Sequence, residues 1–104
     1  MPDKDGYPTN QELKTIENWD FLTNFTGGAK EFLPFLESIW WQSGWGFVLK
    51  GKKVLKLELH TGGWSGNEDI IISMQKTMFW ILCWQKSIRG GHYYFRIKQI
   101  KEKL

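Results

Sequence analysis

With 104 residues the chain falls in the range of one domain, and 41% hydrophobic residues, including seven Trp, seven Phe and three Tyr, furnish a core that excludes disorder over most of its length. A single cysteine excludes a disulfide scaffold, and no apolar run reaches the roughly 18–20 residues of a membrane span. The net charge of +3 conceals a divide: residues 1–49 carry three Lys against seven acids, and residues 50–104 carry eleven Lys or Arg against four.

Thr9-Asn10-Gln11-Glu12 has the capping-box pattern, and Leu13, Ile16 and Trp19 follow on one helical face, which predicts a first helix from about 11 to 19. Asn24 to Gly28 is a turn-rich break. Phe32, Leu36, Ile39 and Trp40 then recur at helical spacing, giving a second helix that ends near Trp41; Pro34, which removes an interior hydrogen bond, places its start near Leu33. From Trp45 the period becomes two. Trp45, Phe47 and Leu49 alternate with Gly46, Val48 and Lys50, a Lys50-Gly51-Lys52 turn follows, and Leu55, Leu57 and Leu59 alternate with Val54, Lys56, Glu58 and His60. This predicts a hairpin with one buried face. The glycine-rich stretch Thr61 to Glu68 leads into a third helix from about 66 to 76, with Ser65 and Glu68 at capping-box spacing.

Met78 to Trp84 is apolar on both alternating faces, the pattern of a central strand covered on both sides. Ser87 to Gly91 supplies a glycine turn, and Tyr93, Phe95 and Ile97 alternate with His92, Tyr94, Arg96 and Lys98 in a basic, half-exposed last strand. The expected architecture is one α+β domain over 1–104: two N-terminal helices, then β-β-α-β-β with a mainly antiparallel four-stranded sheet, residues 1–8 and 99–104 being flexible. A parallel crossover through the third helix would bring both glycine loops to one end of the sheet, each after the carboxyl end of its strand.

Three features bear on function. A glycine-rich turn feeding a helix N-terminus exposes backbone N–H groups to an anion, so Gly62, Gly63, Trp64, Ser65 and Asn67, with Arg89, Gly90, Gly91 and His92 closing from the second loop, form a candidate site for an anion or a partner. Trp64 would offer a flat ring there for stacking. The glycines match neither the P-loop nor the dinucleotide fingerprint. Basic and aromatic residues interleaved along the hairpin and last strand form a second candidate, a basic face of Lys50, Lys52, Lys53, Arg96 and Lys98, with Lys56 and Tyr94 beside them, suited to nucleic acid or an acidic protein. Third, Trp40, Trp41 and Trp45 lie so close in the chain that complete burial of all three is difficult. Catalysis finds little support: Ser65 with His60 or His92 lacks the strained elbow motif and a third group, Cys83 sits among bulky apolar residues, and Glu58, Glu68 and Asp69, or His60, His92 and Cys83, lack metal-site spacing.

Thr61-Gly62-Gly63-Trp64-Ser65-Gly66-Asn67-Glu68, Met78-Phe79-Trp80 with Cys83-Trp84, and Arg89-Gly90-Gly91-His92-Tyr93 together resemble a family of small uncharacterised proteins encoded by bacteriophages and prophages. The similarity spans roughly Phe32 to Phe95, with Trp40-Trp41 and Trp45-Gly46 as further matches. It implies origin rather than activity, and an origin in phage implies a protein that occupies a surface of a host or phage macromolecule, inhibitors of host defence included. The expectation is therefore a non-enzymatic macromolecule-binding protein without cofactor or metal, monomeric or homodimeric, located in the host cytoplasm and away from membranes. Nucleic-acid binding through the basic aromatic face is the alternative, and a small hydrolase or nuclease the second.

Overall fold

The computed structural model describes residues 6–21, 25–51 and 54–98. Lys52 and Lys53 lie outside them, as do most of the two ends expected to be flexible. Helix α1 (Asn10–Glu17) starts as its capping box dictates: the Thr9 hydroxyl accepts from the Glu12 amide at 3.1 Å, and the Glu12 carboxylate accepts from the Thr9 amide at 2.9 Å.

Helix α2 (Phe25–Ile39) begins well before Leu33 and carries Pro34 in its interior, correcting the expected start. Its Ala29, Phe32, Leu33, Leu36 and Ile39 are all buried while Pro34 faces solvent. Burying each large apolar side chain contributes about 1.5–3 kcal/mol, so this stripe outweighs the roughly 3 kcal/mol of an interior proline. Gln42, in the left-handed region at φ 60°, then redirects the chain into the single turn α3 (Ser43–Gly46). Trp45 therefore stands in a helical turn, and not at the head of the first strand as expected.

Strands β1 (Phe47–Lys50) and β2 (Val54–His60) form the expected hairpin, with Phe47 opposite Leu59 and Lys50 opposite Lys56. Helix α4 (Ser65–Met74) takes Trp64 as its N-cap residue with no side-chain cap, so the predicted Ser65–Glu68 box does not form. The largest correction concerns Met78 to Trp84. Those residues fold as helix α5 (Met78–Cys83) followed by strand β3 (Trp84–Ile88), because Thr77 provides an N-cap, accepting from the Trp80 amide at 3.3 Å and donating to the Met74 carbonyl at 2.6 Å. Phe79 and Cys83, four residues apart, then point into the core, while Ile81 and Leu82 are left outside.

Strand β4 (His92–Lys98) completes a four-stranded sheet of order β1-β2-β4-β3, antiparallel at every pairing. The interior strands are β2 and β4; β3 is an edge. Since β2 and β3 both run opposite to β4, they run in the same direction with β4 between them. The chain thus makes a parallel crossover that skips one strand, and Thr61–Trp64 and Arg89–Gly91 do emerge at the same end.

Leu57, Leu59, Phe95 and Ile97 point from the sheet into one cluster with Phe32, Leu36, Ile70, Met74 and Phe79 of the helices. Phe21, Phe32, Phe79 and Phe95 run through it as neighbouring rings with centroids 5.1–5.6 Å apart. By strand alternation, the other side of the sheet carries His60, Glu58 and Lys56 of β2 and His92, Tyr94 and Arg96 of β4, with Lys50 and Lys86 on the flanking strands. Lys50, Lys56, Lys86 and Arg96 are exposed. No described helix is long and apolar enough to cross a membrane.

Candidate functional site: the loop end and the open sheet face

The two glycine loops meet. Gly62 and Gly63 take φ values of 62° and 75°, two successive left-handed positions, and the turn closes with Trp64 N–H on the Thr61 carbonyl at 3.0 Å. Across from them the Thr61 amide donates to the Gly91 carbonyl at 2.9 Å, and any Cβ at Gly91 would overlap the Thr61 hydroxyl. Thr61 is fully buried by this contact. The loops are thus joined backbone to backbone, and their glycines make that approach possible.

Trp64 and Asn67, two of the candidate anion residues at this end, are engaged with the protein itself. Trp64 stacks on both Tyr7 and Trp41, each with ring centroids at 4.6 Å. Asn67 is buried and holds the chain after α2 through both ends of its amide: Oδ1 accepts from the Trp41 N–H at 2.9 Å and Nδ2 donates to the Trp41 carbonyl at 3.0 Å. A Cβ at Gly66 would meet Trp64 Nε1, Pro8 and Tyr7, so the first turn of α4 is roofed by aromatic and proline rings. Ser65 is exposed, its hydroxyl 3.5 Å from the Tyr7 hydroxyl. Glu68 and Asp69 add exposed negative charge to that turn. Arg89 and Gly90 are exposed on the second loop, apart from this aromatic cover.

His92 belongs instead to the open sheet face. Its Nδ1 lies 2.8 Å from Nδ1 of His60, its cross-strand partner, so one ring donates and the other accepts, and at least one imidazole is neutral. Glu58 Oε1 lies 3.4 Å from His60 Nε2, and Glu58 Oε2 is 3.7 Å from Lys50 Nζ.

Next to this pair, Glu58 and Tyr94 oppose each other, and Lys86 Nζ stands 5.0 Å over the Tyr94 ring. One step further, Lys50, Lys56 and Arg96 occupy directly opposed positions on β1, β2 and β4, forming a row of three cations across the sheet. Lys98 falls in register with Val54 at the end of β4. Between β2, β4 and β3 the twisted surface forms a groove of about 420 Å³ lined by Lys56, Glu58, Gln85, Lys86, Tyr94 and Arg96.

Lys86 escaped sequence reasoning because the strand bearing it was placed one helix too early; a lone lysine just after an apolar run was the available signal. The Glu58–His60–His92 chain was equally hidden, since only the register of β2 against β4 brings residues 32 apart into contact. Among the described residues, no group of three His, Cys, Asp or Glu side chains is placed to hold a metal ion. Burial pushes the Cys83 thiol up to about 12, away from nucleophilic use near neutral pH. No protein-family model matches the chain, and no curated protein and no solved structure matches it.

Proposed function

We propose that the protein binds single-stranded nucleic acid across the open face of its sheet. The observation that carries this reading is the row Lys50, Lys56 and Arg96. Like charges directly opposite one another destabilise a sheet, whereas cross-strand pairs of opposite sign contribute about 0.2–1 kcal/mol. A fold that sets three cations in register gives up that contribution between the directly opposed partners; Glu58, 3.7 Å from Lys50, offsets one of the three, and phosphates would neutralise Lys56 and Arg96. Tyr94 and the two imidazoles supply rings in the adjoining rows, where bases can stack, at the cost of moving Lys86 aside. Arg89, on the loop beside Ile88 and His92, extends the positive charge beyond the strands. The resemblance to phage proteins is compatible with a nucleic-acid ligand from either host or phage, and the open face is where such a ligand finds both charge and rings.

The test is fluorescence anisotropy with labelled single-stranded RNA, single-stranded DNA and duplex, at low and near-physiological salt. The expected result is preference for single strands, with affinity that weakens as salt rises. Arg96→Ala should lower the salt dependence by about one counterion, and Tyr94→Ala should cost about 1–3 kcal/mol if a base stacks there. Lys56→Glu separates function from stability: it should raise stability by about 0.2–1 kcal/mol while abolishing binding. Absence of binding at both salts would falsify the proposal, and the same cationic row would then direct attention to an acidic protein surface.

A further inference from the structure

We propose that two copies of this chain join through β3, edge to edge about a two-fold axis, with the apolar surface of α5 sealing the junction. Strand β3 is an edge strand, exposed along its whole length, and so presents backbone groups that no other strand satisfies. Natural edges are usually blunted by charge, and β3 has one charged residue, Lys86, between Trp84 and Ile88. Helix α5, which leads directly into it, has none: Met78, Ile81 and Leu82 are exposed at 37%, 75% and 56%, and Trp84 and Ile88 at 42% and 46%. Trp84 is fixed in this surface, its ring parallel to Trp80 at 6.1 Å and its Nε1 donating to Ser87 Oγ at 2.8 Å. An uncharged helix and an open strand edge can each match a copy of themselves, as an isologous contact requires.

The irregularity in β3 between Trp84 and Lys86 selects the register. It confines regular pairing to the residues after it, and opposed residues must point to the same side of the sheet. Centring the pair on Lys86 would oppose two lysines. Centring it on Ser87 places Lys86 of each copy against Ile88 of the other, both on the open face, and brings no like charges together. The joined sheet has eight strands, and its two basic faces become one continuous surface. The edge borders the nucleic-acid groove through Gln85 and Lys86 but lies outside the cation row, and the association is tested without nucleic acid.

The experiment is sedimentation velocity and light scattering on the full chain over a concentration series, with two variants. The wild type is expected to run at twice the chain mass at micromolar concentration. Ile81→Asp with Leu82→Asp, both at exposed positions, should return it to monomer with an unchanged circular dichroism spectrum. Ser87→Cys should be linked into a covalent dimer by a short bismaleimide, because directly opposed residues have Cβ atoms about 4.5–5.5 Å apart and Cys83 is too buried to compete. A wild type that stays monomeric up to about 100 µM overturns the proposal. So does a dimer that persists in the double aspartate variant, or one that Ser87→Cys does not cross-link, because the contact then lies elsewhere.

Discussion

Cys83 shows how a single position reports on the whole molecule. Its side chain is 2% exposed at the end of α5, and burial lifts the thiol from 9.0 to about 12. At neutral pH the folded thiol therefore holds about a thousandth of the thiolate of a free cysteine. Iodoacetamide should label it only through unfolding, at a rate set by the opening equilibrium, and rapid labelling of the native protein would show that α5 opens by itself. The linkage also has a sign. Above pH 9 the unfolded thiol ionises while the folded one keeps its proton, so stability falls as pH rises from 9.0 toward about 12, and Cys83→Ala should flatten that decline. Gly91 and Asn67 tell a related story at the loop end. Both stood in the candidate anion site by residue type, and the structure uses one for a close approach to Thr61 and the other to cap the chain at Trp41.

Among the elements, those with strict periodicity were legible from the sequence, as was the Thr9 capping box, whereas the Ser65–Glu68 pair at the same spacing forms no cap. Thr9 and Glu12 located α1, and alternation in β2 and β4 separated Leu57, Leu59, Phe95 and Ile97, which are buried, from Lys56 and Arg96, which are exposed. The stretch from Met78 to Trp84 failed because a short, wholly apolar run has no period to read, and only the Thr77 cap distinguishes a helix from a strand. That one error moved β3 to the centre of the sheet and hid Lys86 from the basic face. The association of α1 with α4 makes a separate prediction. Glu17 accepts from Ser73 Oγ at 2.8 Å and lies 3.5 Å from Lys76 Nζ; the hydrogen bond from Ser73, then the Lys76 charge, hold its carboxyl below the usual carboxylate value. A lowered pKa contributes stability above the ordinary carboxylate range and loses it as pH falls through the lowered value. Thermal melts from neutral to acidic pH should therefore show a smaller acid loss for Glu17→Gln than for the wild type, and identical slopes would remove Glu17 from the account.

At the scale of the molecule, the candidate site depends on a long-range decision that no local pattern records. Strand order places β4 between β2 and β3, and this puts His92 on His60 and Arg96 beside Lys56. The sequence supplied the residues of the open face, and their rows arose only with the register. The same order predicts the hydrogen-exchange pattern: amides of β2 and β4, paired on both sides, should exchange most slowly, and those of β1 fastest among the strands. In β3, protection should grow with protein concentration as the edge becomes covered, whereas concentration-independent exchange would argue against pairing there.

The interior position of β4 also bears on how the chain is made. Synthesis delivers β1, β2, α4, α5 and β3 before it, and at that stage β2 lacks its principal partner and β3 has none at all. The chain up to Ile88 holds nearly all of the apolar core residues and none of the strand that closes them into a sheet. A chain cut short at that point leaves β2 and β3 without the strand they share, and should associate or be cleaved more readily than the full chain.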